Sequence, residues 1–296
     1  MQARDEKLQA IISWAQENDD IRAALLTSSL VNPLARVDDF SDLDIELVFE
    51  DINPYVSDNR WLSLFGTPIS SVEEDETCFD GKHAMKMVLY DDHVKVDFKL
   101  YKRSTFLEDI QADELHEDWD VGYKVLLDKD GLTRELKPPT RQSVIIKKPT
   151  EKKYNQVMND FWWDTTYVAK CLARDEIFYA KFMSESILRI DYLVQILEWH
   201  IASEHNWNIT TNKYGRYFKR YLSADQWQQV ERTFSGSRLE DNWNALFAFA
   251  DVVHYYGTRL AEKLGYTYPL AHELNVRKYL EHTRSLSSVK AARSAE

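Results

Sequence analysis

Two carboxylates one residue apart, Asp42 and Asp44, open the run Asp42-Leu43-Asp44-Ile45-Glu46-Leu47-Val48-Phe49. Side chains alternate across a strand, so these two project from one face while Leu43, Ile45, Leu47 and Phe49 project from the other. The apolar face can lie on a core while the acidic face stays open. Paired hard oxygen ligands on a rigid strand suit Mg²⁺, and a metal held in this way suits a nucleoside triphosphate. Asp-x-Asp is also common on solvated strand faces, so the pair needs support from elsewhere in the chain. Met85 to Tyr90, the turn Asp91-Asp92-His93 and Val94 to Leu100 read as two strands about a short hairpin. Val94, Val96, Phe98 and Leu100 share one face, and Lys95, Asp97 and Lys99 share the other. If this hairpin pairs beside the first strand, Asp97 joins Asp42 and Asp44 in a group of three carboxylates that repel one another without a cation. The alternative is an Asp97 paired with a neighbouring lysine on an exposed sheet face.

The elements that must position these groups can be read on either side. Leu8, Ile11, Ile12 and Ala15 recur at helical spacing, which predicts an amphipathic helix over about 5–18. Ile21 to Leu26 reads as a buried strand running into Thr27-Ser28-Ser29 and the turn signal Asn32-Pro33. Hydroxyls and free backbone N–H groups at a strand end can cradle phosphate oxygens, although serines after a strand are more often ordinary turn residues. Lys137-Pro138-Pro139-Thr140 and Lys147-Lys148-Pro149-Thr150 interrupt regular structure, with Thr150 placed to cap a helix. Beyond them the pattern is helical, over about 151–173, 176–204, 215–222, 224–234 and 239–264. The segment 285–296 has little apolar content and is expected to fray.

This order of elements resembles the polymerase-beta-type nucleotidyltransferases. Trp61 to Gly66, Lys124 to Asp130, Phe161-Trp162, Thr166 to Lys170, Leu172-Ala173-Arg174, Trp199 to Ala202 and Lys219 to Leu222 resemble, in one order, blocks of the aminoglycoside 6-adenylyltransferases, the streptomycin-modifying group. The resemblance covers about residues 5–270. It implies an α+β protein: a nucleotidyltransferase domain over 1–145, with a mixed β-sheet and flanking helices, and a helical substrate-binding bundle over 146–284, followed by a flexible tail over 285–296. It implies transfer of AMP from ATP to a hydroxyl of a cationic acceptor, with Mg²⁺ on Asp42, Asp44 and Asp97, and Ser28 and Ser29 at the nucleotide. The family lysine of the block at Lys170 implies a contact to the triphosphate; read alone, Lys170 equally suits a lysine snorkelling to water. Asp160 and Asp164 share a face of the first long helix and can meet acceptor amines, serve as a base, or be surface charges. Of Trp162 and Trp163, one is expected in the core and one, Trp163 in the site assignment, lining a cleft. His200 reads as a packing histidine.

One departure bears on rate. The family has Gly-Ser-Arg at the nucleotide turn where this chain has Ser28-Ser29-Leu30. Glycine allows close backbone approach and positive φ, and arginine adds a charge-assisted phosphate contact. A catalytically weak homologue that only binds nucleotide or drug, or an enzyme with another small-molecule acceptor, therefore stands beside streptomycin adenylylation.

Composition sets the outer bounds. At 296 residues the chain can hold two cores, and a net charge of −12 without a basic stripe opposes a nucleic-acid partner. Glu73-Glu74-Asp75-Glu76 and the acidic stretch from Glu108 to Asp120 lack neighbouring Lys or Arg, and would draw a cationic acceptor or simply be solvated. No apolar run is long enough for a bilayer and no signal pattern opens the chain, so a cytoplasmic protein is expected. Cys78 and Cys171 lie in different segments with no metal-ligand spacing, and are read as inert.

Overall fold

The structure, a computed structural model, describes residues 2–294, and the surroundings of side chains for residues 2–287. The chain divides into two compact units between Val144 and Ile145.

The first unit is built on α1 (Gln2–Glu17), β1 (Ile21–Thr27), β2 (Leu43–Phe49), α2 (Asn53–Ser57), β3 (Pro68–Glu74), β4 (His83–Tyr90), β5 (Lys95–Lys102), α3 (Arg103–Gln111), α4 (Glu117–Asp120) and β6 (Tyr123–Asp128). Its six strands form one mixed sheet in the order β3-β4-β5-β2-β1-β6, with β2 and β5 parallel and every other neighbouring pair antiparallel. Alternation decides what each face buries. Leu43, Ile45, Leu47 and Phe49 of β2 and Val96, Phe98 and Leu100 of β5 join Ile11 and Ala15 of α1 in one core. The opposite face buries Val48, Tyr101, Phe106, Ile110 and Trp119 at one end. Its other end carries charge. The edge strand β3 exposes five of its seven residues, which is why its sequence gives no alternating apolar signal.

Four residues of the acidic runs find lysine partners that the runs themselves lack in sequence. Glu73 pairs with Lys86, Glu76 with Lys102, Asp109 with Lys82 and Asp118 with Lys99. The lysines come from or next to β4 and β5, far along the chain, and only sheet formation brings them near.

The second unit is helical: α5 (Glu151–Ala173), α6 (Ile177–Lys181), a π-wound stretch Phe182–Leu193 leading into α7 (Val194–Glu204), α8 (Phe218–Tyr221), α9 (Ala224–Glu231), α10 (Leu239–Leu264) and α11 (Leu270–Ser294). Thr150 caps α5, its hydroxyl accepting from the Lys153 N–H. The expected helix over 176–204 is thus continuous but π-wound in its middle, and the expected 215–222 helix shrinks to one turn. One core gathers Phe161, Trp162, Leu188, Leu197, Phe249, Val253, Tyr256 and Leu280. The backbone of α11 runs on into the segment expected as a tail, to Ser294. An established helix adds residues at the gain of one hydrogen bond each, and Lys290, Ala291, Ala292 and Arg293 are good helix formers. Residues 295–296 lie outside the described residues.

Candidate active site

The parallel pairing of β2 and β5 sets Asp44 opposite Asp97 and, one rung along the same face, Glu46 opposite Lys99. Asp42 and Lys95 each precede the Leu43–Val96 partners by one residue, and the Lys95 ammonium lies 3.3 Å from Asp42 Oδ2 and 2.9 Å from Asp97 Oδ2. One face of two strands therefore carries three polar rungs. The outer two join opposite charges. The middle one opposes two carboxylates, an arrangement that costs stability on a sheet face unless something offsets it.

The inner rung is closed. Glu46 is almost fully buried; its Oε2 accepts from Trp119 Nε1 at 2.6 Å and its Oε1 lies 3.6 Å from Lys99 Nζ. Lys99 also donates to Asp118 at 2.9 Å. Burial pushes the Glu46 carboxyl up, and the lysine and indole pull it back down.

The middle rung is open. Burial, then the neighbouring Asp97 and Asp42 carboxylates, push the Asp44 carboxyl up to about 6, against a downward pull from the Ser28 hydroxyl and Lys95. Asp97 Oδ1 is buried and has no hydrogen-bond partner. An orphaned acceptor of this kind ordinarily costs about 1–3 kcal/mol, and here it sits among two further carboxylates.

The turn after β1 completes the group. β1 runs antiparallel to β2 with Leu26 opposite Ile45, which delivers the following turn, Ser28–Leu30, to the Asp44 end of β2. The Ser28 hydroxyl lies near enough to pull the Asp44 carboxyl down, and Ser28 has φ +61°, the left-handed region that glycine enters without penalty. The turn thus keeps the backbone shape that the glycine pattern implies, with a serine in place. Leu30 packs against the sheet core, which suits an apolar side chain and not a guanidinium.

The helical unit carries the remaining expected residues on α5. Asp164 Oδ2 accepts from the Tyr192 hydroxyl at 2.7 Å, and burial raises its pKa, with Asp160 and Asp191 adding to the rise. Trp162 is the core tryptophan, donating to the Tyr268 hydroxyl at 3.2 Å, whereas Trp163 is 60% exposed. The Lys170 ammonium lies 4.3 Å from the centre of the Tyr167 ring, a cation–π contact. His200 meets Tyr256 edge-on at 4.7 Å and burial lowers its pKa, as a neutral packing histidine requires. The structure therefore groups Asp42, Asp44, Asp97 and Ser28 in the sheet unit, and Asp160, Trp163, Asp164, Tyr167 and Lys170 along one helix of the other. Sequence reasoning missed Glu46 and Tyr192; it placed Lys95 on the Asp97 face without choosing between Lys95 and Lys99 as the partner.

Three carboxylates with an orphaned oxygen among them are a hard, anionic donor set, and a divalent cation fits it chemically. As the side chains stand, Lys95 takes up Asp42 and Asp97, and no group of three or more His, Cys, Asp or Glu side chains converges on one ion position among the described residues. Both readings of Asp97 given by the sequence are thus present together: it faces a second carboxylate and also pairs with a lysine.

A mixed sheet whose first strand ends in a serine turn beside an Asp-x-Asp strand, with a third Asp in register on the parallel neighbour, is the arrangement that the resemblance to nucleotidyltransferases implied. The comparison with known families narrows this. A model described as "Streptomycin adenylyltransferase" matches residues 1–283, and the chain belongs to that family. It is an adenylyltransferase. Curated relatives include the aminoglycoside 6-adenylyltransferase of Bacillus subtilis, 30% identical over 285 residues that cover 95% of this chain and 98% of that protein. The aminoglycoside 6-adenylyltransferase of Campylobacter jejuni is 28% identical over 278 residues, covering 92% and 93%. Among solved structures, that of an aminoglycoside 6-adenyltransferase from Bacillus subtilis matches with a TM-score of 0.46 and 27% identity, over 95% of this chain and 98% of that one. No helix among the described residues is long and apolar enough to cross a membrane.

Proposed function

We propose that this protein transfers AMP from ATP to a hydroxyl of an aminoglycoside, with streptomycin the first acceptor to test, and releases pyrophosphate. The observation that carries the reading is the Asp44–Asp97 rung, two carboxylates set opposite each other beside the serine turn after β1. The acceptor class comes from the relatives, which are aminoglycoside 6-adenylyltransferases, and from a net charge of −12 that favours a polycation.

Asp42, Asp44 and Asp97 would hold Mg²⁺, which when bound supplies positive charge against the triphosphate. The chain's own groups do the rest. Ser28, Ser29 and the adjacent backbone bind the β- and γ-phosphates. Asp97, through its unpartnered Oδ1, accepts the hydroxyl proton as the acceptor oxygen attacks the α-phosphorus. The new O–P bond forms as the bond from that phosphorus to the bridging oxygen breaks, and the electron pair leaves with pyrophosphate. In the helical unit taken by itself, Asp160 and Asp164 suit ammonium groups, the exposed Trp163 ring offers a face to a sugar, and Lys170 suits a phosphate.

Purified protein with labelled ATP, Mg²⁺ and a panel of aminoglycosides tests this. Pyrophosphate release that requires streptomycin is the expected result. Release with a different acceptor would reassign the substrate, and calorimetric binding of nucleotide and drug without release would favour a second reading, a weak homologue that binds without turnover. That second reading draws on Leu30, where the family pattern has an arginine.

A further inference from the structure

We propose that Lys95 is a built-in competitor for the divalent cation, an ammonium that holds the carboxylate group until an ion displaces it. The inference rests on the proposed role of Asp42, Asp44 and Asp97 as cation ligands. Lys95 Nζ bridges carboxylates from two strands, 3.3 Å from Asp42 and 2.9 Å from Asp97. A metal on the same residues has to share these two carboxylates with the ammonium, and the like charges of ion and ammonium repel. One ammonium stands against three carboxylates, so it neutralises the group only in part, and Asp97 Oδ1 is left without a partner. An ion of charge +2 answers the remaining demand better than an ammonium can.

The contrast with the next lysine on the strand argues that Lys95 can leave. Its side chain is 40% exposed, against 9% for Lys99. Lys99 is held by Glu46 and Asp118 and lies over the Tyr101 ring at 5.4 Å. Lys95 has only the two carboxylates, and exposed ion pairs of this kind are weak and easily exchanged. Its four-carbon stem lets the ammonium swing into water without moving the strand. A cation arriving alone must displace it, whereas a cation arriving with triphosphate brings part of its oxygen shell along. Lys95 would thus tie tight metal binding to the presence of nucleotide.

The test is Mn²⁺ binding to the full-length protein without nucleotide, followed by electron paramagnetic resonance of the free ion. Mn²⁺ takes the same oxygen ligands as Mg²⁺ and reports directly. Lys95→Met is expected to bind Mn²⁺ about three- to thirtyfold more tightly than the natural protein, the range that loss of two half-exposed ion pairs allows. Lys95→Arg, which keeps the charge, is expected to bind as the natural protein does, and Asp44→Asn to bind far more weakly. Thermal unfolding confirms that each variant folds. Unchanged or weaker binding in Lys95→Met, with Asp44→Asn still defective, overturns the competitor role and leaves the ligand assignment standing. Tightening in Lys95→Arg equal to that in Lys95→Met also overturns it, since charge would not be the cause. Binding in Asp44→Asn equal to that of the natural protein overturns the ligand assignment and the competitor role with it.

Discussion

Glu46–Lys99 and Asp44–Asp97 are neighbouring rungs on one face of the same two strands, yet one is closed and the other open. In the closed rung each charge has its opposite, an indole N–H satisfies the carboxylate, and the side chains are buried under Trp119 and Tyr101. In the open rung like faces like, one oxygen has no partner, and the nearest cation is a half-exposed lysine from the adjacent rung. The backbone is the same in both, so the difference lies in residue choice. A fold that needed only stability at this position would place a lysine opposite Asp44, as it does opposite Glu46. In the open rung the charge of the carboxylates is only partly met by the chain itself, through Lys95.

Exchanging the character of the two rungs should separate their roles. The largest effect is expected from Asp44→Asn, which keeps the shape and removes the charge: AMP transfer should fall by about a thousandfold or more, with circular dichroism and unfolding cooperativity retained. Turnover within a few-fold of the natural protein would make the open rung a structural curiosity.

Next in size is the closed rung. Lys99→Met leaves Glu46 buried without its cation and should cost about 3–5 kcal/mol of stability, read by denaturant unfolding. Lys95→Met, on the open side, should change stability by no more than about 1 kcal/mol. Equal losses at the two lysines would erase the distinction.

Smaller than the loss at Lys99 is a pH dependence. Asp44 has its carboxyl raised from 3.8 to about 6 in the folded protein. The folded state therefore binds this proton more tightly than the unfolded chain. The resulting stabilisation is complete below the unfolded value and is lost as pH rises through 6. Without divalent cation, the natural protein should lose about 2–3 kcal/mol relative to Asp44→Asn between about pH 4 and 7.5. A constant difference across that range would show that Asp44 is not held in this environment.

How much of this could be read beforehand follows from which contacts are local. The Asp42-Leu43-Asp44 alternation, the β4–β5 hairpin and the 23-residue α5 with its Thr150 cap rest on neighbours in sequence, and they were legible. The parallel pairing that sets Asp44 opposite Asp97 joins residues 53 apart, and no local pattern specifies its register. The same holds for the lysines that partner the acidic runs. β3 was silent because an exposed edge strand needs no apolar alternation. α11 was silent because its buried anchors are few, Val276 and Leu280, while Leu270 and Leu274 stay half exposed. At the turn, Ser28 was seen as a departure from glycine, but only the backbone showed that serine enters the left-handed region there.

The parallel β2–β5 pair also governs when the site can come into being. The β4–β5 hairpin closes over a short turn and can form early, whereas β2 must find β5 across a long stretch of intervening chain, a search whose entropy grows with loop length and which slows folding. Asp44 and Asp97 meet only when that search ends. A partly folded form that has the hairpin but lacks the parallel pair holds Asp97 apart from Asp42 and Asp44, so the group of three carboxylates exists only once the sheet is complete.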